Sequence, residues 1–199
     1  MTAPSPSQPD FDQLVRELIC GDDARAEQAA LALGACSCEA VSYLQPILEQ
    51  PDPDRRWWAA RALSQFRCNP AQQLLIELLA DADADVRACA AFGLGETRHE
   101  AAILPLTGLL NDTSVFVSAM ASDALARIGP ASTPVLIDRL KNGRPLERTR
   151  AAKALLMILD SRSIPVLIAA LDDESPVVEH YAAEALTRLG VGTVLIKPK

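Results

Sequence analysis

Apolar residues recur along this chain at three- and four-residue spacing, and the pattern restarts about every thirty residues. Six blocks align: AALAL (29–33), AARAL (59–63), AAFGL (90–94), ASDAL (121–125), AAKAL (151–155) and AAEAL (182–186). Their closing leucines, Leu33, Leu63, Leu94, Leu125, Leu155 and Leu186, follow one another at intervals of 30 or 31. Upstream of each block stands an acidic or polar turn, seen in QPDPD (50–54), DADAD (81–85), NDTS (111–114), KNGRP (141–145) and DDESP (172–176). Such turns supply helix N-caps. A Leu-rich run precedes each turn, as in FDQLVRELI (11–19), QQLLIELLA (72–80) and IPVLIAAL (164–171).

The unit this predicts is an antiparallel helix pair. One pair alone leaves an apolar face uncovered, so the units must stack. The chain is therefore expected to be all-α, an α-solenoid of about six stacked helix pairs. A flexible tail is expected at 1–10 and units at about 11–39, 40–70, 71–100, 101–130, 131–160 and 161–190. Residues 191–199 would form a C-terminal tail or cap. Pro134 and Pro165 fall in the first turn of their helices, where a missing N–H costs little. Pro46 and Pro105 sit deeper, which predicts a kink or a late start.

Aligning each second helix on its closing leucine shows which side is packed. Four residues before that leucine stand Ala29, Ala59, Ala90, Ala121, Ala151 and Ala182. The positions three and one before it are also small, which means closely approaching backbones. At about 100° per residue the positions six and two before it fall opposite. They hold Glu27, Trp57, Ala88, Ala119, Thr149 and His180, and then Leu31, Arg61, Phe92, Asp123, Lys153 and Glu184. This mixed content predicts exposure. Adjacent Trp57 and Trp58 then divide: Trp57 points outward and Trp58 sits at the edge of the packed side.

The stretches DADADVRACAAFGLGE (81–96) and LDSRSIPVLIAALDDESPVVEHYAAEALTRLG (159–190) resemble HEAT repeats of the short bacterial type, also found in phycobilisome (bilin) lyase subunits. The resemblance covers about nine-tenths of the chain. It implies an armadillo-type superhelix whose second helices line a concave surface. Trp57, Trp58, Arg61, Phe92 and Phe116 would form a patch there, and aromatic residues beside an arginine are the composition of a protein-interaction hot spot. The bland reading has Trp57 lying over Arg61 to shield the packing. Arg56, Arg87 and Arg148, seven residues before their leucines, are expected to pair with Asp52, Asp54, Asp83 or Asp85 beside the helix N-termini.

Composition narrows the function. The chain is 49% hydrophobic but only 4% aromatic, so its core must come from Leu, Ile, Val and Ala. A formal net charge of -7 opposes broad affinity for nucleic acid or anionic lipid. The start MTAPSPSQPD resembles no signal peptide and no run is long enough to span a membrane, so a cytoplasmic location and monomeric state are the default. Five cysteines at irregular positions fit reduced thiols.

Candidate chemistry is sparse. Cys38, Cys68 and His99 each lie five residues after a closing leucine, with Cys36 nearby, and thiolate and imidazole are zinc ligands. Equivalent loops of stacked units should stand about a helix diameter apart, too far to converge on one metal. No metal or other cofactor is expected.

The family's deoxyhypusine hydroxylase branch binds two irons through four His-Glu pairs. Here His99-Glu100 is one such pair, and His180 is followed by Tyr181. HEAT-like DNA glycosylases need a basic groove. The expectation is a non-catalytic scaffold or adaptor for a protein or peptide. The alternative is a bilin lyase subunit, or a phycobilisome assembly or degradation factor, binding a tetrapyrrole or phycobiliprotein.

Overall fold

A computed structural model describes residues 10–191 of the chain. All its regular structure in that range is helical, in twelve α-helices with short 3-10 turns. The expected tails lie, except for Asp10 and Val191, outside the described residues. The chain forms two compact units, Met1–Gly93 and Leu94–Lys199.

In the first unit α1 (Phe11–Leu18) precedes α2 (Asp23–Gly34), α3 (Val41–Leu48) precedes α4 (Pro53–Leu63), and α5 (Asn69–Leu78) precedes α6 (Ala84–Thr97), which enters the second unit. Aspartates start the second helices. Asp22 accepts from the Arg25 N–H at 2.9 Å, Asp52 from Asp54 at 3.0 Å, and Asp83 from Asp85 and Val86 at 2.9 and 3.2 Å. Each bond satisfies a donor that the first helical turn would otherwise leave open. Pro46 is accommodated inside α3, after a 3-10 turn at Cys38–Ala40.

The second unit continues with α7 (Ile103–Gly108), α8 (Val115–Ile128), α9 (Thr133–Asn142), α10 (Pro145–Ile158), α11 (Ile164–Ala169) and α12 (Pro176–Arg188). The α-helical geometry of α7 starts only after a 3-10 turn at Glu100–Ala102. Pro105 is then its third residue, so the late start is the outcome. Glu147 closes a capping box on α10 by accepting from the Arg144 N–H at 2.7 Å.

The small-residue columns are the core. All six alanines four positions before the closing leucines are buried, and so are all six leucines. The approach is close where the column reaches glycine: a Cβ on Gly93 would lie 2.7 Å from the Cβ of Ser64, inside contact distance. Small side chains are therefore a steric requirement of the packing, besides their helix propensity.

Candidate functional site

The position two before each closing leucine is never buried. Leu31, Phe92 and Glu184 are exposed, and Arg61, Asp123 and Lys153 are intermediate. Leu31 and Phe92 leave 50% and 38% of their surface to solvent. Phe116, at the start of α8 in the second unit, is 55% exposed.

The cations of this column bind outward-facing acids on the preceding second helix. Arg61 Nε donates to Glu27 Oε2 at 3.1 Å, its Nη2 reaches Glu27 Oε1, and its Nη1 reaches Ser64 Oγ at 3.3 Å. In the second unit Lys153 Nζ donates to Asp123 at 2.7 Å. Of the outward positions one is misjudged from sequence: Ala88 is buried, because a methyl group is short enough to be covered by its neighbours.

Trp57 and Trp58 do not divide as the register suggests. Both are half-buried, and their rings meet edge to face with centroids 4.8 Å apart and planes at 89°. Both line one hollow of about 710 Å³, together with Ile19, Cys20, Gly21, Asp23, Asp52, Asp54 and Arg55. Adjacent Cβ atoms diverge on a helix, but an indole is long enough for two rings to turn back onto each other. The guanidinium of Arg61 is taken up by Glu27. The hollow opens beside the N-termini of α2 and α4, so Asp23 and Asp54, which read as ordinary first-turn acids, also line it.

The repeated arginines are structural, but the acidic partner of Arg56 and of Arg148 lies one repeat further on than expected. Arg56 donates twice to Asp81, at 2.8 Å from both Nε and Nη2, and Arg148 donates to Asp173 at 2.9 and 3.2 Å. Asp52 instead accepts the Asp54 N–H and pairs with Arg55 at 3.4 Å. The turn carbonyls fix this choice: Arg56 Nη1 donates to Gln50 O and Pro51 O at 2.9 and 3.0 Å. Arg87 Nη1 does the same to Asp81 O and Ala82 O. With Arg56 held there, the rest of its fork faces the following turn. Asp81 is held below the usual carboxylate range, chiefly by its hydrogen bonds from Arg56.

The Cys38 thiol is raised above its ordinary value, chiefly by the neighbouring Cys68 thiol of the next loop. Cys36 Sγ donates to Ala32 O at 3.1 Å. His99 belongs to the second unit, where its backbone N–H donates to Leu94 O at 3.2 Å. Among the described residues no three His, Cys, Asp or Glu side chains are grouped to hold a metal ion. Nor is any helix there long and apolar enough to cross a membrane.

None of the curated proteins matches the chain in sequence. Among solved structures it is similar in fold to YibA of E. coli, at 21% identity and TM-score 0.61, over 94% of this chain and 77% of that one. It is similar to the complex of CpcE and CpcF of phycocyanin lyase from Nostoc sp. PCC7120, at 24% identity and TM-score 0.54, over 96% and 80%. A designed armadillo repeat protein in complex with the peptide (KR)4 is similar at 18% identity and TM-score 0.51, over 91% and 100%. These likenesses place the fold among armadillo and HEAT repeat solenoids. The pattern of HEAT repeats matches residues 11–88, 71–156 and 133–195, and with that coverage the chain belongs to the HEAT repeat family.

Proposed function

We propose that the chain is a non-catalytic scaffold that holds a protein or peptide partner on the outward face of its second helices. Trp57, Trp58, Arg61 and Phe92 contribute from the first unit. One observation carries this reading: Leu31 and Phe92 are 50% and 38% open to solvent on helices whose column alanines and closing leucines, Ala29, Leu33, Ala90 and Leu94, are buried. Large apolar side chains kept on one repeated outward position, with Arg61 between them in the alignment, suit a contact surface. Acidic overall charge favours a partner with basic character.

Affinity capture from the native host tests the reading, comparing wild type with a Leu31→Ala, Phe92→Ala variant. Helical content and melting should be nearly unchanged while the captured partner is lost. Unchanged capture by the variant overturns the reading. A visible absorption shift on adding a bilin, with quenched tryptophan emission, supports the tetrapyrrole alternative instead.

A further inference from the structure

In the first unit a hollow lies beside Trp57 and Trp58. Its volume, about 710 Å³, lies within the range of ligand pockets. Its walls are of two kinds. The tryptophans stand edge to face, so one indole keeps both faces clear of its neighbour and the other keeps one. An indole face carries negative π density and attracts cations.

Asp23, Asp52 and Asp54 bring three carboxylates to the same lining, against the single guanidinium of Arg55. That guanidinium is already engaged, by Asp52 at 3.4 Å and by Gln50 Oε1 at 2.9 Å. Among the described residues Asp23 and Asp54 form no ion pair. An apolar ligand would strip water from these carboxylates without replacing it, and an anion would be repelled.

We propose that this hollow takes lysine or arginine side chains from a basic segment of the partner, the cation lying against the indoles and between carboxylates contributed by two successive repeats. This rests on the reading of the chain as a peptide-holding scaffold and names the chemistry of what it holds. Asp23 comes from the start of α2, and Asp52 and Asp54 from the start of α4. Charges spread over two repeats suit successive basic residues of an extended segment better than one isolated cation. The net charge of -7 steers such a segment toward the chain.

Trp57 and Trp58 are the only tryptophans, so intrinsic emission reports on this hollow alone. The full chain is titrated with a capped peptide rich in lysine and arginine, with the same peptide carrying glutamines instead, and with spermidine. The basic peptide should shift the emission saturably, and added salt should weaken it; the glutamine peptide should do neither. Asp23→Asn with Asp54→Asn should weaken binding by about tenfold, the size expected for two lost charge contacts. Glu77→Gln, an exposed acid elsewhere in the unit, should leave it unchanged.

No response to the basic peptide, an equal response to the glutamine peptide, or indifference to the aspartate changes overturns the proposal. So does spermidine binding as tightly as the peptide, which would make this a polyamine site. A silent titration beside partner capture that still depends on Phe92 removes the cation pocket and leaves the scaffold reading standing. A responsive titration with capture indifferent to Phe92 does the reverse.

Discussion

Arg56 grips the carboxylate of Asp81 with two 2.8 Å hydrogen bonds, joining the second helix of one repeat to the turn that opens the next. Both side chains are largely buried, at 13% and 8% exposure, so the pair escapes most of the screening that makes surface ion pairs weak. Arg56→Ala removes the bonds and leaves a desolvated carboxylate without them. The expected loss is about 2–3 kcal/mol of unfolding free energy, the range for hydrogen bonds to charged groups. Arg55→Ala, at an exposed neighbour, should cost less than about 0.5 kcal/mol. Urea denaturation of the two variants separates these outcomes, and equal losses would contradict the structural role.

A second repeated position carries backbone strain. Four residues after the closing leucines of the second unit stand Arg98, Gly129, Leu159 and Gly190, all at positive φ, of 52°, 90°, 55° and 75°. Glycine takes this conformation without a Cβ clash, whereas other L-residues lose about 1–2 kcal/mol in left-handed geometry. Arg98 is exposed, so replacing it removes little packing. Arg98→Gly should therefore stabilise the protein by up to about 1 kcal/mol, after the added entropy of the unfolded chain is subtracted. A raised urea midpoint is the expected result, and a lowered one would show that the Arg98 side chain outweighs the strain.

The same repetition explains what could be read before any coordinates were known. Leucine and alanine columns at intervals of 30 or 31 specify a helix pair and its packed side, because burial acts on every repeat alike. The outward column of Leu31, Arg61 and Phe92 was legible for that reason. What escaped depends on side-chain reach. The indoles of Trp57 and Trp58 converge although their Cβ atoms diverge, and Arg56 bypasses Asp52 for Asp81. Backbone periodicity carries no information on which rotamer a long side chain adopts.

Burial pushes the Cys89 thiol up to about 12, with the Arg61 guanidinium pulling it down and the Glu27 carboxylate raising it further. In the unfolded chain the same thiol ionises near its ordinary value of 9.0. Between those values the folded state holds a proton that the unfolded state releases. The stability tied to Cys89 is thus complete below pH 9 and falls as pH rises toward 12, by up to about 1.4 kcal/mol per unit. Denaturation midpoints of wild type and Cys89→Ala should converge over that range. Alkylation at pH 8 should label the exposed Cys20 readily and spare Cys89 until the chain unfolds.

Asp160 has the opposite sign. Its carboxylate accepts from Arg162 Nε at 2.8 Å, from the Arg162 N–H at 2.9 Å and from Thr133 Oγ1 at 3.0 Å. Arg162 in turn donates to Pro130 O at 2.5 Å, so the cluster ties the turn before α11 to the turn before α9. These interactions, the Arg162 hydrogen bonds first, hold the Asp160 carboxyl at about 2, against an ordinary 3.8. The unfolded chain therefore takes up this proton first as acid is added. The stability concerned is present above pH 3.8 and disappears as pH falls through 2. Asp160→Asn keeps a turn-capping oxygen but not the charge, and should cost about 1–2 kcal/mol at neutral pH. Its deficit relative to wild type should shrink between pH 4 and pH 2 in thermal melts, whereas a deficit independent of pH would assign the loss to the cap geometry rather than to the charge.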